Sequence, residues 1–302
     1  MQQRFTGCRQ LTSVICWLLA SICWLAASYS HADEPVVIGI DADILPDYIT
    51  FVNHRDLTKI QHYKGAGARR DVIELVLLQQ AVAIGGFKHP IEIKAGRSYR
   101  RTLRDVAEGN FIASGNLGWK EDITPLGKDI LISRPVVRSG EFVAGIYTST
   151  HNPKALAADN LAALTKLTAV TSSQWTADVR ILNQLGFTQI IYSPNWINIV
   201  RMIEAGRADI TLAPFQQNEG MLVEIGDIKL VPIKGIKIAF AGSRHWSVSR
   251  KHPQGQAFYD AMERGLTYME AHGIIQQAYL ECGFFHPDVA TWTVLNPPDL
   301  TP

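Results

Sequence analysis

Cysteine is scarce in this 302-residue chain, and its placement limits how the fold can be held together. Cys8, Cys16 and Cys23 lie in the N-terminal segment, and Cys282 is the only cysteine after residue 32. Once that segment is removed, no internal disulfide can form. The fold must then depend on burial of a hydrophobic core. A chain of this length buries roughly three quarters of its unfolded surface, which is enough for one large or two medium cores.

Long apolar runs, an excess of charge and metal-binding motifs are also missing. After residue 32 no run approaches the roughly 20 apolar residues that cross a bilayer. The net charge is only +1, which gives no electrostatic basis for binding nucleic acid or an anionic membrane. The histidines are scattered without an HExxH motif, and there is no GxSxG elbow. We therefore expect no metal, no cofactor and no serine hydrolysis, and the lone Cys282 is expected to be a buried small side chain.

The N-terminal segment has the organisation of a secretory signal peptide. Arg4 and Arg9 precede an apolar stretch over residues 14–27. The polar segment that follows closes on Ser30-His31-Ala32, which places small residues three before and one before a cut at Asp33. The sequence therefore predicts an exported chain, located in the periplasm.

Two other interpretations of this segment were weighed. A membrane anchor is disfavoured because the apolar stretch is shorter than a spanning helix needs. A lipoprotein linked through Cys23 is disfavoured because the bulky Ile22 stands where a small residue is expected. Removal of residues 1–32 takes away two arginines and no acid, so the net charge changes from +1 to −1.

Short β-branched runs alternate with helix-like segments after Asp33, a pattern typical of an α/β protein with largely parallel sheets. Residues 35–40 (PVVIGI) form a buried strand that leads into an irregular acidic stretch, residues 41–48. Loops at the carboxyl ends of strands line the ligand crevice of such sheets, so Asp41, Asp43 and Tyr48 are candidate site residues. The alternative is that the aspartates only cap or turn the backbone.

A glycine-containing turn over residues 64–70 leads into a helix that begins at Asp71 and is hydrophobic nearly all round, so we expect it to be buried. The Gly65-Ala66-Gly67 segment is similar to part of a dinucleotide-binding loop. Arg70, however, occupies the position of the third glycine, and no β-branched strand precedes the turn, so we assign no nucleotide site.

The next strand and helix lead to a second set of candidates. Residues 91–94 form a strand, and a helix begins after Ser98 and ends at Gly109. Residues 111–114 form a strand that opens into glycines and an indole, where a ligand can approach the backbone and stack. The candidates at this position are Ser114, Gly115, Asn116, Trp119 and Lys120. The alternative for Trp119 is that it only covers an edge of the core.

A second unit of similar design begins at about Glu141. Its strands are predicted over residues 142–147, 167–170, 190–192 and 208–213, and the chain after Phe240 is predicted to be mostly helical. Residues 171–178 lead into a helix whose hydroxyls and free backbone amides suit an anion. The candidates here are Ser173, Trp175 and Thr176, although Ser173 or Thr176 can equally be an N-cap. Phe215 and Gln216 follow the last strand of this unit.

The order of these parts resembles the extracellular solute-binding proteins of family 3, the polar amino acid type, which have the type II periplasmic binding fold. The matching pieces, spread over roughly 250 residues, are VVIGID with its loop to Tyr48, GAGARRDVIELV, RTLRDVAEGNFIASGN, SRPVVRSGEFVAGIYT, IEAGRADITLAP and the tail HPQGQAFYDAMERGLTYMEAHGIIQQAYLECG. The resemblance implies two α/β lobes with mixed, mostly parallel sheets that close on a ligand through a hinge.

The resemblance also implies domain boundaries. Residues 1–32 are the signal peptide, lobe 1 comprises residues 33–138 and 241–302, and lobe 2 comprises residues 139–240. Two crossover strands, near residues 133–141 and 234–240, join the lobes.

The residues that bind an amino acid in this family are not all present. Following Ser114-Gly115 the family usually has Thr-x-x-Arg, whose arginine binds the α-carboxylate of the ligand. Asp122 stands at the arginine position, with Lys120 nearby as a single charge. The aspartate that typically holds the α-amino group falls at about Ala213-Pro214. The resemblance therefore implies a divergent branch whose ligand is not a standard α-amino acid.

The expected function is that of a non-enzymatic periplasmic receptor, monomeric and without cofactor, that captures a small polar or aromatic solute for an ABC-type permease. The candidate apolar faces are Tyr48, Trp119, Trp175 and Phe215, and the candidate hydrogen-bonding groups are Ser114, Asn116, Ser173, Thr176 and Gln216. One alternative is a receptor that feeds a membrane sensor. Another is a dehydratase-like enzyme on the same scaffold, with Asp43, Glu121 or Asp122 as its acid.

Overall fold

The computed structural model describes residues 34–296, so the expected signal peptide and its cleavage position lie outside the described residues. The strands are, in chain order, β1 (Val36–Asp41), β2 (Ile91–Gly96), β3 (Ala113–Ser114), β4 (Gly118–Trp119), β5 (Ile130–Ile132), β6 (Val143–Ser149), β7 (Ala169–Thr171), β8 (Ile190–Tyr192), β9 (Thr211–Ala213), β10 (Val223–Ile225), β11 (Ile228–Pro232), β12 (Ile236–Ala239), β13 (Arg244–His245), β14 (Ser247–Ser249) and β15 (Thr293–Val294).

The helices connect and cover these strands. They are α1 (Leu45–Val52), α2 (Arg70–Ile84), α3 (Tyr99–Glu108), α4 (Lys120–Ile123), α5 (Pro153–Leu156), α6 (Leu161–Leu164), α7 (Thr176–Gln184), α8 (Trp196–Glu204), α9 (Gly255–Ala271) and α10 (Ile274–Glu281). Short 3-10 turns lie at Leu57–Lys59, Thr124–Leu126, Glu219–Met221 and Pro287–Val289. Within residues 34–296 no helix is both long enough and apolar enough to cross a membrane.

One sheet, with the strand order β2-β1-β3-β14-β5, forms the centre of what we call lobe 1, together with α1–α4, α9 and α10. β1 pairs in parallel with β2 and β3, whereas β14 runs antiparallel to β3 and β5. The strand predicted at residues 35–40 is confirmed as β1, and its residues Val36, Ile38 and Ile40 are buried. Burial of each such side chain stabilises the fold by about 1.5–3 kcal/mol.

Helix α2 is the central helix of lobe 1, and its predicted burial is confirmed. Every residue from Val72 to Val82 is buried, and α9 packs against it. The turn before it needs a glycine: Gly67 has φ +74°, and a Cβ at that position would lie 2.3 Å from the carbonyl oxygen of Asp47. Gly67 therefore allows a close approach of this turn to α1.

The acidic stretch after β1 is more regular than the sequence indicates. It was predicted to be irregular over residues 41–48, but it forms α1 from Leu45 onward, with Pro46 in the first turn. A proline fits there because the first turn of a helix has no hydrogen-bond partner for its N–H groups.

The second sheet has the order β10-β11-β6-β12-β15, with β9 also paired to β6, and the parallel pair β7–β8 lies next to it. Together with α5–α8 this sheet forms lobe 2. β6 runs antiparallel to β9, β11 and β12. Antiparallel pairs therefore outnumber parallel ones in the described part of the chain, which corrects the expectation of mostly parallel sheets. Among the described strands, only β10 and β11 form a hairpin with a short turn, and the other antiparallel pairs join strands that are distant in sequence.

Two crossover segments join the lobes side by side. Residues 133–142 lead from β5 to β6, and residues 240–243 lead from β12 to β13. An antiparallel bridge between Val137 and Arg244 ties the two segments together. Two strands, β13 and β14, then precede the C-terminal helices, where the sequence predicted mostly helix.

The last described strand returns to lobe 2. β15 pairs in parallel with β12, and Trp292, just before it, packs edge-on against Phe215 with a centroid distance of 5.5 Å. The segment around β15 thus differs from the expectation that residues 241–302 all lie in lobe 1. Burial of the Trp292 ring against lobe 2 is the physical reason.

Candidate functional site

A cavity of about 460 Å³ lies between the two lobes. Lobe 1 contributes the end of β1, the first turns of α1 and α2, and the loop between β3 and β4. Lobe 2 contributes the first turns of α7 and α8, the end of β9 and the turn between β10 and β11. Ligand pockets typically measure about 300–1,000 Å³, so this volume suits a small metabolite.

The lobes touch each other at the edge of this cavity. Arg180 of lobe 2 forms an ion pair with Glu121 of lobe 1. Thr176 donates from its Oγ1 to Oδ1 of Asp122 at 2.6 Å. These contacts link α7 directly to α4.

A second interlobe contact lies on another side of the cavity. The side-chain amide of Gln217 accepts from the backbone N–H of Gly65 at 3.1 Å and donates to the Gly65 carbonyl at 2.6 Å. The two lobes therefore contact each other at two places, and the cavity between them remains partly open.

A buried charge network in lobe 1 supports the cavity. The carboxylate of Glu74, fully buried, accepts from Nη1 of Arg70 at 2.6 Å, from Nη1 of Arg244 at 3.1 Å and from the backbone N–H of Leu117 at 3.0 Å. Arg244 also donates to the Leu117 carbonyl. The network therefore fixes the β3–β4 loop against α2, and its one carboxylate is shared by two arginines.

Aromatic rings surround Arg244 and form one wall. Its guanidinium lies 5.3 Å from the Trp119 ring centre and 5.4 Å from that of Phe142. Trp119 stacks on Phe240 with a centroid distance of 5.6 Å and an angle of 12°. Phe142 and Phe240 belong to the crossover segments, so the hinge region and the cavity wall share residues. Burial lowers the pKa of Arg244, and the neighbouring Arg70 adds to this effect.

A second group of charges lies where β1, α1 and α2 meet. Arg69 contacts carboxylate oxygens of Asp43 at 3.0 Å, Asp47 at 3.2 Å and Asp71 at 2.9 Å. Burial alone would raise the pKa of Asp71, but Arg69 and Arg70 outweigh it and hold that pKa below its usual value. The three acids therefore share one guanidinium.

Two further carboxylates at the cavity have no such partner. Asp41, at the end of β1, and Asp178, in the first turn of α7, face the cavity from opposite lobes. No other described side chain forms a hydrogen bond or an ion pair with either carboxylate. Burial raises the pKa of both to about 7, and for Asp41 the neighbouring Asp43 and Asp71 add to this effect.

On the lobe 2 side, two indoles border the cavity. Trp175 precedes α7, Trp196 begins α8, and their ring centres are 6.3 Å apart. Within the described residues no group of three or more His, Cys, Asp or Glu side chains has the arrangement of a metal site. The cavity thus combines carboxylates, paired arginines and aromatic faces.

The structure brings six of the candidate residues to the cavity. They are Asp41, Asp43, Asn116, Trp119, Trp175 and Gln216. Ala213 and Pro214, the positions at which the family's amine-binding aspartate was expected, also border it. Asp122, at the expected arginine position, accepts from Tyr99 Oη at 3.1 Å and from Thr176, so it supports lobe contact rather than the cavity wall.

Four other predicted residues of lobe 1 lie elsewhere. Tyr48 is buried, and its hydroxyl pairs with the Gln79 amide in the core. Ser114 is buried and donates to the Asn116 carbonyl at 2.7 Å. Gly115 packs closely against β1, and a Cβ at this position would lie only 2.4 Å from Cγ2 of Ile40. Lys120 is exposed and does not border the cavity.

Three predicted residues of lobe 2 are also placed away from the cavity wall. Ser173 is exposed, and Thr176 is used in the contact with Asp122. Phe215 is buried between Trp292 and Tyr147, because the β15 segment covers it. Neither hydroxyl caps α7, since the residue at its N-cap is Trp175 and makes no side-chain cap hydrogen bond.

Several cavity residues were not predicted. Asp178 and Trp196 lie in the first turns of helices that follow strands, which is the position where the sequence could have indicated them. Arg244 carries no local signal, because its partner Glu74 is 170 residues away.

Comparison with solved structures identifies the architecture. The probable amino-acid ABC transporter extracellular-binding protein YtmK of Bacillus subtilis superposes with a TM-score of 0.55 at 12% identity, over 82% of this chain and 97% of that one. The amino acid ABC transporter substrate-binding protein AbpA of Streptococcus pneumoniae, bound to L-arginine, gives 0.52 at 11% identity, over 82% and 96%.

A sensor domain shows a similar likeness. The VFT2 domain of Bordetella pertussis BvgS, as a double mutant, gives a TM-score of 0.50 at 15% identity, over 84% of this chain and 95% of that one. The sequence itself matches no protein-family profile and no curated protein. The chain therefore has the two-lobed α/β fold of periplasmic binding proteins, similar in structure to amino acid ABC transporter substrate-binding proteins.

Proposed function

We propose that the protein is an exported, non-enzymatic receptor that binds one small solute in the cavity between its lobes. The observation that carries this proposal is a cavity of about 460 Å³ between the lobes, together with direct contacts between the lobes, from α4 to α7 and from Gly65 to Gln217. Contacts that form only when the lobes close couple ligand binding to a change of surface that a partner can recognise.

The proposed location and partner follow from the sequence and the fold. Residues 1–32 direct export and are removed, and the mature monomer works in the periplasm. The partner is an ABC-type permease, as for the substrate-binding proteins whose fold it shares. Asp43, Asn116, Trp119, Trp175 and Gln216 are the ligand-binding residues that we propose from the candidates brought together.

A sensing role is the second candidate, and the similarity to the BvgS VFT2 domain favours it. The same closing surfaces would then act on a membrane sensor. The neighbouring genes separate the two: permease and ATPase genes support uptake, and a kinase or cyclase gene supports sensing.

The acids first considered for catalysis have other contacts. Asp43 pairs with Arg69, Glu121 with Arg180, and Asp122 accepts from Thr176. Each therefore has a structural partner that explains its position without a catalytic role.

Calorimetric titration tests the proposal. The mature protein is first unfolded and refolded to remove any solute carried through purification, then titrated with amino acids, amines, organic acids and small peptides. We expect one class to bind with one site per chain and a dissociation constant near or below about 1 μM, equivalent to roughly 8 kcal/mol. Absence of heat and of thermal shift with every class would contradict the proposal.

A further inference from the structure

The charges of the cavity point to the class of the solute. Three guanidiniums border it, those of Arg69, Arg70 and Arg244. Arg69 is paired with the acids of the β1–α1 loop and α2. Arg70 and Arg244 both donate to Glu74. Each guanidinium of the wall thus has a carboxylate partner among the described residues, but Arg70 and Arg244 share that of Glu74.

Carboxylates, in contrast, are in excess. Six border the cavity, namely Asp41, Asp43, Asp47, Asp71, Asp178 and Glu224. Two of them, Asp41 and Asp178, have no side-chain partner and lie on different lobes. A carboxylate that is partly buried without an ion-pair partner is costly, because burial removes part of its hydration. A positively charged group between the lobes would replace that hydration on both sides at once.

The aromatic faces support the same conclusion. Trp175 directly precedes the helix that carries Asp178, and the Trp196 ring centre is 6.3 Å from that of Trp175. Indole faces attract organic cations through the quadrupole of the ring, and the attraction increases when water is excluded. An amine or a guanidinium group therefore finds both carboxylates and indole rings in this cavity.

We propose, on the basis of the proposed receptor function, that the solute is an organic amine or guanidinium compound without a carboxylate, held by Asp41 of lobe 1 and Asp178 of lobe 2 beside Trp175 and Trp196. The cation links the two lobes and so stabilises the contacts between them. Because it needs no carboxylate clamp, this class also agrees with Asp122 standing where the family has its arginine.

Matched pairs of ligands test this inference, since each pair differs only by a carboxylate. Agmatine is compared with arginine, and cadaverine with lysine, by calorimetry at pH 8 and low salt. We expect agmatine, cadaverine or both to bind at least tenfold more tightly than the corresponding amino acid. Equal or tighter binding of arginine and lysine would overturn the inference.

The panel used for the proposed function keeps the two claims separate. If neutral or acidic solutes bind while agmatine and cadaverine do not, the inference about the cation is wrong and the receptor function stands. If no class binds, both are wrong.

Single-residue variants locate the cation. Asp178→Asn and Asp41→Asn should each weaken binding of the tighter amine at least tenfold, while the melting temperature of the unliganded protein does not fall, because asparagine preserves the shape of the side chain. Asp260→Asn, at an exposed site on α9, is the matched control and should bind as the wild type. Wild-type affinity in Asp178→Asn would overturn the assignment, and this variant decides the question if Asp41→Asn fails to fold.

Discussion

Replacement of Glu74 by glutamine tests the charge network beneath the cavity. The carboxylate is fully buried and accepts from two guanidiniums, at 2.6 and 3.1 Å, and from one backbone N–H at 3.0 Å. Glutamine keeps the shape but removes the negative charge, which leaves Arg244 without a carboxylate partner and Arg70 with only Asp71, at 3.9 Å. Breaking a buried ion pair by removing one partner typically costs about 3–5 kcal/mol. For a chain of this size that predicts a decrease in melting temperature of roughly 6–20 °C.

Urea unfolding, monitored by tryptophan fluorescence, measures this loss of stability, and circular dichroism gives the melting temperature. Glu270→Gln is the matched control, because Glu270 pairs with Arg134 and Arg138 near the surface, where an ion pair is worth about 1 kcal/mol or less. If Glu74→Gln loses no more stability than Glu270→Gln, the network does not stabilise the lobe as described. The same variant should also weaken binding of a cationic ligand, since two arginines at the cavity lose the carboxylate that they share.

Three further predictions concern closure, pH and backbone geometry. Arg180→Ala removes a half-exposed ion pair with Glu121 that joins the lobes, and such a pair is worth about 0.2–1 kcal/mol. Calorimetry should therefore show a ligand affinity weakened about 1.4- to 5-fold, with no change in the stability of the unliganded protein. A loss of that stability would contradict a role limited to closure. Asp41 and Asp178 have pKa values of about 7, so their carboxylates are ionised above that pH and protonated below it. The affinity for a cation should therefore decrease from pH 8 to pH 5.5 by up to roughly 30-fold per carboxylate. An affinity independent of pH would refute their participation. Gly67→Ala places a Cβ against the Asp47 carbonyl at a backbone φ of +74° and should lower the free energy of unfolding by about 1–3 kcal/mol. Urea titration measures this loss, and an unchanged free energy of unfolding would contradict it.

The sequence predicted most elements because their local patterns are strong. Residues 190–192 were predicted as a strand and form β8, and the apolar helix after Gly67 is confirmed as α2. Helix α1 was missed because Asp41-Ala42-Asp43 is typical of a turn, although the helix begins at Leu45, two residues after Asp43. The strands β13 and β14 were missed because their partners, β3, β4 and β5, are more than 100 residues away.

The site was only partly predictable for the same reason. Asn116 was expected from the glycine-containing segment after a strand and Trp175 from the start of a helix, and both border the cavity. Phe215 also follows a strand but is covered by Trp292, a contact across 77 residues that no local pattern reveals. That Asp178 has no side-chain partner likewise could not be predicted from the sequence, because it depends on which side chains of lobe 1 lie opposite it.

Native mass spectrometry of the protein isolated from its own periplasm tests the central claim most directly. The account predicts that the wild type carries one small adduct per chain, and that Trp175→Ala, which removes one face of the cavity, carries little or none of it. The mass of the adduct should correspond to an amine or guanidinium compound without a carboxylate. A wild-type protein free of any adduct, or the same adduct at the same occupancy on Trp175→Ala, would contradict binding of a solute between the lobes.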